Sequence, residues 1–261
     1  MPATLGALDL PLSADTLSVF LLVLARTTAW AGVVPLFTTR GVAPVARLAL
    51  AFGLAVFLTP LLPPVTVPEG TAEFALAVGG QVAVGLALGL LTALVLAAVD
   101  VAGGMADYAS GFSYGAMLDP VNGAQSAAFA RLMSVTFLAL LLVTDGYQTI
   151  FAGFIASFRA LPVDHAPSLA DGAGPLLGAA LSGVFVAALQ IGAPLLGVLF
   201  LTEVALAMAG RFVPQANALV VGLPVKSLVA LTAAGAMLAM LPSQIPGLVE
   251  PAVRLGGQVL R

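Results

Sequence analysis

The sequence predicts an all-α, polytopic integral membrane protein, and three observations carry that prediction. Hydrophobic residues make up 61% of the chain and are spread along nearly its whole length. Charge is sparse, with nine basic and twelve acidic residues among 261. The uncharged gaps are long: 26 residues from Phe74 to Val99, 27 from Leu176 to Thr202 and 23 from Ser227 to Val249. A hydrocarbon core of roughly 30 Å is crossed by about 20 apolar residues at helical rise, so each run can span it. No hydrophilic stretch is long enough for an appended soluble domain; 101–125 and 159–175 are only loop-sized.

The elements follow in order. The first predicted helix is Thr16–Val34, opened by Ser13 or Asp15 as N-cap, with Arg26 and Trp30 inside it. A turn from Pro35 to Pro44 carries Arg40. The second helix, Val45–Leu62, carries Arg47 near its start and stops at Pro63-Pro64. An acidic loop with Glu69 and Glu73 leads to a third span, about Ala72–Val99. From Val101 to Gln125 the chain is rich in Gly, Ser, Tyr, Asp and Asn and reads as irregular. The fourth stretch, Ala127–Phe158, is cut by Asp145-Gly146, giving one bent span or two arms with a turn between them. The fifth, Leu176–Ala209, is too long for one perpendicular helix and carries Pro194. Arg211 to Pro214 break it, and a last helix, Ala218–Leu241, ends before Pro242 and a short tail. The count is about six spans. Basic loop residues do not give one consistent orientation, which fits a chain whose helices do not all cross lipid.

Composition excludes several chemistries. Cysteine is absent, so there is no disulfide, thiolate nucleophile or cysteine metal site. Net charge is −3 and the basic residues are scattered, leaving no nucleic-acid footprint. Met1–Ser13 holds no Lys or Arg, so a cleavable leader is not expected. No Gly-x-Ser-x-Gly elbow, phosphate loop or metal-ligand spacing is found, and His165 stands alone in a loop. Neither an enzyme nor a bound cofactor or metal is expected.

Three features remain. Gln81, Gly85, Gly89, Ala93 and Ala97 recur at every fourth position, forming a ridge of small or polar residues where helix backbones approach closely. The ridge serves either a subunit contact or packing within the chain. Arg26, Arg131, Glu203, Arg211 and Lys226 are charges within or beside apolar stretches, each costly at a bilayer centre. Pairing with partner subunits, or snorkelling, accounts for them better than an ion relay, because no second acidic residue lies deep in a span. The third feature is the run Gly111, Phe112, Ser113, Tyr114, Gly115, Ala116, Met117, Leu118, Asp119, Pro120, Val121, Asn122, Gly123. Its glycines disfavour helix, and its apolar side chains are out of place in a solvated loop. It reads as a constriction lining a passage or as an interfacial loop.

At this point the chain resembles a known family, the flagellar biosynthetic protein FliR and its virulence-system relatives (the SctT family), subunits of the type III secretion export gate. Four stretches carry the likeness: Arg26 with Ala31–Phe37, Arg40-Gly41-Val42 and Pro44; Leu58-Thr59-Pro60 with Pro63; Gly111–Gly123 followed by Arg131; and Phe158–Pro162 with Arg211, Pro214-Gln215, Asn217 and Val221–Pro224. The resemblance runs from about Leu17 to Leu241; Lys226 has no evident place in the pattern.

The resemblance implies a part like a P-type gate subunit (1–160, including the plug at 111–123) and a Q-type hairpin (161–261). One copy would join P-type and Q-type subunits in a helical cone in the bacterial inner membrane, at the flagellar basal body, with a B/U-type switch protein outside. Exported unfolded polypeptides would pass through it. Gly111–Gly123 would plug the lumen, with Phe112, Tyr114, Met117 and Leu118 as its apolar seal. The competing class is a secondary transporter for a small solute, but no internal repeat with matching broken helices is found.

Overall fold

The computed structural model describes residues 14–38, 41–63, 65, 70–111, 128–164, 173–212 and 218–259. Every regular element among them is helical. In chain order they are α1 (Ala14–Val33), α2 (Pro35–Thr38), α3 (Pro44–Leu58), a 3-10 turn (Thr59–Leu61), α4 (Thr71–Ser110), α5 (Ala128–Val143), α6 (Gly146–Ala160), α7 (Ala173–Phe212) and α8 (Ala218–Val259). Five of these, counting α3 with its 3-10 turn, are long and apolar enough to cross a membrane, and the bent pair α5–α6 adds one more if it is a single span. Only 22–33% of each of the five spans is buried within the chain, so most of their apolar surface faces outward, as lipid or neighbouring helices require.

Local chemistry sets most boundaries. Pro44 opens α3 from an extended Ala43, where its missing N–H and fixed φ cost nothing. Pro60 sits in the 3-10 turn that closes the helix. Between α5 and α6 the chain bends by 75°. Asp145 takes the left-handed conformation there, with φ 58°, which an aspartate tolerates better than most residues. The stretch is thus two helical arms meeting at a bend, the geometry of a broken span or of a re-entrant pair.

Two expectations need correction. Residues 101–110 are not a loop: α4 runs unbroken for 40 residues to Ser110, about 60 Å at 1.5 Å per residue. Gly and Asp disfavour helix on their own, but Gly103 and Asp107 find tertiary use here, as described below. Gly111, with φ 87°, supplies the left-handed residue that ends the helix. Nor does the last helix stop before Pro242. α8 continues to Val259 with Pro224, Pro242, Pro246 and Pro251 inside it. Its buried stripe of Ala234, Met237, Leu241, Ile245 and Val249 passes straight through that region. Burial of those side chains, about 1.5–3 kcal/mol for each large one, offsets much of the roughly 3 kcal/mol that each helical proline costs. A smaller difference is α2, a single turn of helix where a plain turn is expected.

The chain divides into two compact units. One draws on Met1–Leu90, Phe154–Asp171 and Gly256–Arg261. Its core joins Leu22, Val23 and Trp30 of α1, with Val34 just after it, to Ala51 and Ala55 of α3, Val84 and Leu88 of α4, and Phe154 and Phe158 of α6. The rings of Phe20 and Phe52 meet edge to face between α1 and α3, with centroids 5.5 Å apart. The other unit draws on Leu91–Gly153 and Gly172–Leu255. Its core includes Val99, Ala102, Phe129, Met133, Phe137, Ile191, Leu195, Leu199, Leu241 and Ile245.

Candidate functional site

In the first unit the polar centre is Arg26, whose residue is fully buried. Its Nε–H donates to Gln81 Oε1 at 2.7 Å and its Nη2 to the Leu161 carbonyl at 2.9 Å. Nη1 makes a longer contact with Ser157 Oγ at 3.5 Å. The guanidinium carbon lies 4.4 Å from the centroid of the Phe158 ring, a distance at which the ring face attracts a cation. Every one of these partners is neutral. Gln81 is held in turn, because its Nε2 donates to the Val163 carbonyl at 3.0 Å. One turn along α1, Trp30 stacks on Phe154 with centroids 4.2 Å apart. Arg26 thus ties together α1, the start of α4, and the end of α6 with the residues that follow it.

Close backbone approach makes this network possible. A Cβ on Gly85 would stand 2.4 Å from the Arg26 carbonyl oxygen, and one on Gly89 would stand 2.9 Å from Val33 Cβ. Gln81, Gly85 and Gly89 of the predicted ridge therefore lie against α1 of the same chain. Ala93 and Ala97, further along α4, are half-buried.

In the second unit the end of α4 meets the start of α5. Asp107, 2% exposed, accepts the backbone N–H of Phe129 on Oδ1 at 2.9 Å and that of Ala130 on Oδ2 at 3.0 Å. A carboxylate on α4 thereby caps the first turn of α5, where orphan amides and the helix dipole favour negative charge. A Cβ on Gly103 would come within 2.4 Å of Ala130 Cα. Ser134 hydroxyl donates to the Asp100 carboxylate, and Ser110 hydroxyl donates to the Asp107 carbonyl.

Of the predicted plug, Gly111 ends α4, while Phe112, Ser113, Tyr114, Gly115, Ala116, Met117, Leu118, Asp119, Pro120 and Gly123 lie outside the described residues. Arg131 is exposed on the first turn of α5, and Arg211 is exposed in the last turn of α7. Glu203 pairs with Lys226 of α8, oxygen to nitrogen 2.7 Å. Eight positions separate Glu203 from Arg211, and the structure does not bring them together. Among the described residues no three His, Cys, Asp or Glu side chains gather where a metal could be held.

Sequence reasoning singled out Arg26 and Gln81 separately without joining them, and it passed over Asp107, Ser157 and the role of Lys226. Lys226 had a signal, as the one basic residue inside the last apolar run. Asp107 was hidden by the loop-like composition around it.

The sequence profile described as Bacterial export proteins, family 1, matches residues 17–252. The chain belongs to that family. The stretch includes both polar networks and the whole of 111–123. Among family-1 relatives, this export protein is similar to the flagellar biosynthetic protein FliR of Bacillus subtilis (strain 168), with 34% identity over 214 residues, 81% of this chain and 83% of that one. It is similar to FliR of Escherichia coli (strain K12), with 28% identity over 219 residues, 84% and 83% of the two chains. The Yop proteins translocation protein T of Yersinia pestis is 25% identical over 156 residues, 59% of this chain and 60% of that one.

Proposed function

We propose that this chain is a multi-pass inner-membrane subunit of the type III protein export apparatus that builds the bacterial flagellum. The observation that carries the reading is the export-family match over residues 17–252, on a chain with five membrane-length helices. Likenesses over more than four-fifths of the chain are to proteins named for flagellar biosynthesis.

In this reading the subunit is a passive conduit. Unfolded polypeptide enters from the cytoplasmic side and displaces the run Gly111–Gly123, whose glycines permit the movement and whose Phe112, Tyr114, Met117 and Leu118 form the resting seal. Energy is supplied elsewhere in the apparatus, and no covalent chemistry is assigned to this chain. One copy assembles with P-type and Q-type gate subunits in a helical cone, with a B/U-type switch protein outside. Residues 1–160 take the P-type place and 161–261 the Q-type place. Exposed apolar side chains on α7, among them Phe185, Phe200 and Leu201, then face neighbouring helices or lipid. Arg131 and Arg211 meet charges on those neighbours.

The test is gentle detergent extraction of the tagged chain, followed by native mass spectrometry. The expected product is a large hetero-oligomer holding one copy of this chain and several copies of two smaller membrane proteins. A lone chain or a homodimer would overturn the reading in favour of a small-solute transporter.

A further inference from the structure

The second unit holds a hollow of about 250 Å³ between α4, α7 and α8, larger than the roughly 150 Å³ of an engineered cavity that accepts benzene. Its walls include Val95 and Ala98 of α4, Gly183, Ala187 and Gln190 of α7, and Gly247 of α8, all within that unit. Small residues make the space: a Cβ on Gly183 or Gly247 would meet nothing within 4 Å. Gly183 and Gln190 are also exposed, so the hollow opens to the outside of the chain. Gln190 is the one polar side chain among the described residues that line it.

That glutamine is set deep in an apolar run. It lies 14 positions after Leu176 and 12 before Thr202, the two ends of an uncharged stretch. At 1.5 Å per residue it stands about 20 Å from either end, whereas headgroups and water begin about 15 Å from the middle of a hydrocarbon core. Its carboxamide offers donors and an acceptor, and it has no hydrogen-bond partner among the described residues. Left against lipid it would stay unsatisfied, which is a costly state in hydrocarbon. A lipid acyl chain fills the hollow but gives the carboxamide nothing to bond. A second copy of this chain would set hollow against hollow, because a two-fold contact uses the same patch twice. An unlike helix meets both needs, since small residues admit it closely and a polar side chain bonds across.

We propose that this face of α7 seats a membrane helix of a different subunit, which puts a large apolar side chain into the hollow and a hydrogen-bonding side chain against Gln190. The inference rests on the export reading above, which supplies unlike membrane subunits, and adds where one of them docks and by what chemistry.

The test uses the assembled complex. A photoreactive amino acid replaces Ala193, which is exposed one turn beyond Gln190, and the cross-linked product is identified by mass spectrometry after gentle extraction. The expected product joins this chain to a membrane subunit recovered in the same complex. Gly183→Leu fills the hollow, and the yield of that product should fall several-fold. Gln190→Leu keeps the bulk of the side chain and removes its hydrogen bonding, so the yield should fall several-fold again. Both positions are exposed, so the isolated chain should melt unchanged; where Gly183→Leu lowers the melt, Gln190→Leu decides alone. No product, products with lipid or a second copy only, or a yield that Gln190→Leu leaves unchanged would overturn the proposal with the complex intact. A lone chain or a homodimer from otherwise wild-type cells would instead remove the export reading, and the docking site with it.

Discussion

Arg26 is a cation buried in its own chain, and the acceptors it meets among the described residues are all neutral. Such a residue is held by geometry rather than by a counter-ion, so each acceptor matters. Arg26→Leu leaves Gln81 Oε1 and the Leu161 carbonyl buried without a donor, at about 1–3 kcal/mol for each orphaned group. We expect a loss of about 3 kcal/mol or more, read as a lower aggregation temperature of the detergent-solubilised chain. Arg26→Lys should recover only part of it, because one ammonium cannot reproduce a planar fork aimed in three directions. Gln81→Leu added to Arg26→Leu removes one of the orphans. The double variant should therefore be more stable than the two single losses predict, by about 1 kcal/mol. The expense of a charge inside an apolar run made Arg26 visible in the sequence. Its partners were not visible, because they lie 55 to 135 positions away and two of them are a serine and a backbone carbonyl.

At the scale of the helix, glycines of α4 sort by what faces them. A Cβ at Gly85 or Gly103 would strike backbone atoms at 2.4 Å, whereas at Gly79 and Gly104 nothing lies within 4 Å. Gly85→Ala and Gly103→Ala should each destabilise by about 1–3 kcal/mol through overpacking. Gly79→Ala and Gly104→Ala should be neutral, or stabilise the isolated chain by up to about 1 kcal/mol through helix propensity. Thermal melts of the four variants in detergent separate the pairs. The same comparison explains which elements could be read in advance. Hydropathy located α1, α3, the first part of α4, α7 and the first part of α8, because a long apolar run needs no partner to be recognised. It failed for 101–110 and beyond Pro242. There a poor local propensity is overruled by the Gly103–Ala130 approach in one case and by a buried stripe in the other. The ridge from Gln81 to Gly89 was legible as a close approach, but periodicity alone could not say to what.

For the whole molecule, the export reading ties these pieces to a measurable barrier. Replacing Met117 and Leu118 together with Gly removes the bulk of the proposed seal while leaving both polar networks intact. Resting membrane conductance should then rise with the complex still assembled; unchanged conductance would count against the seal. The ion pair between Glu203 and Lys226 bears on a different moment in the life of the protein. The two residues sit in consecutive long apolar helices, α7 and α8, which leave the ribosome one after the other. On insertion scales each charge alone costs about 2.5–3.5 kcal/mol at mid-membrane, so α7 emerges with a carboxylate whose partner has not yet been made. Its lateral release into lipid should wait until Lys226 follows, and the two helices should then enter as a pair. Chains truncated after Phe212 should accordingly integrate less completely than chains ending after Leu241. Glu203→Leu should erase that difference in a glycosylation-mapping assay. A contact that looks like a modest stabiliser of the finished hairpin would thus couple the entry of its two halves into the membrane.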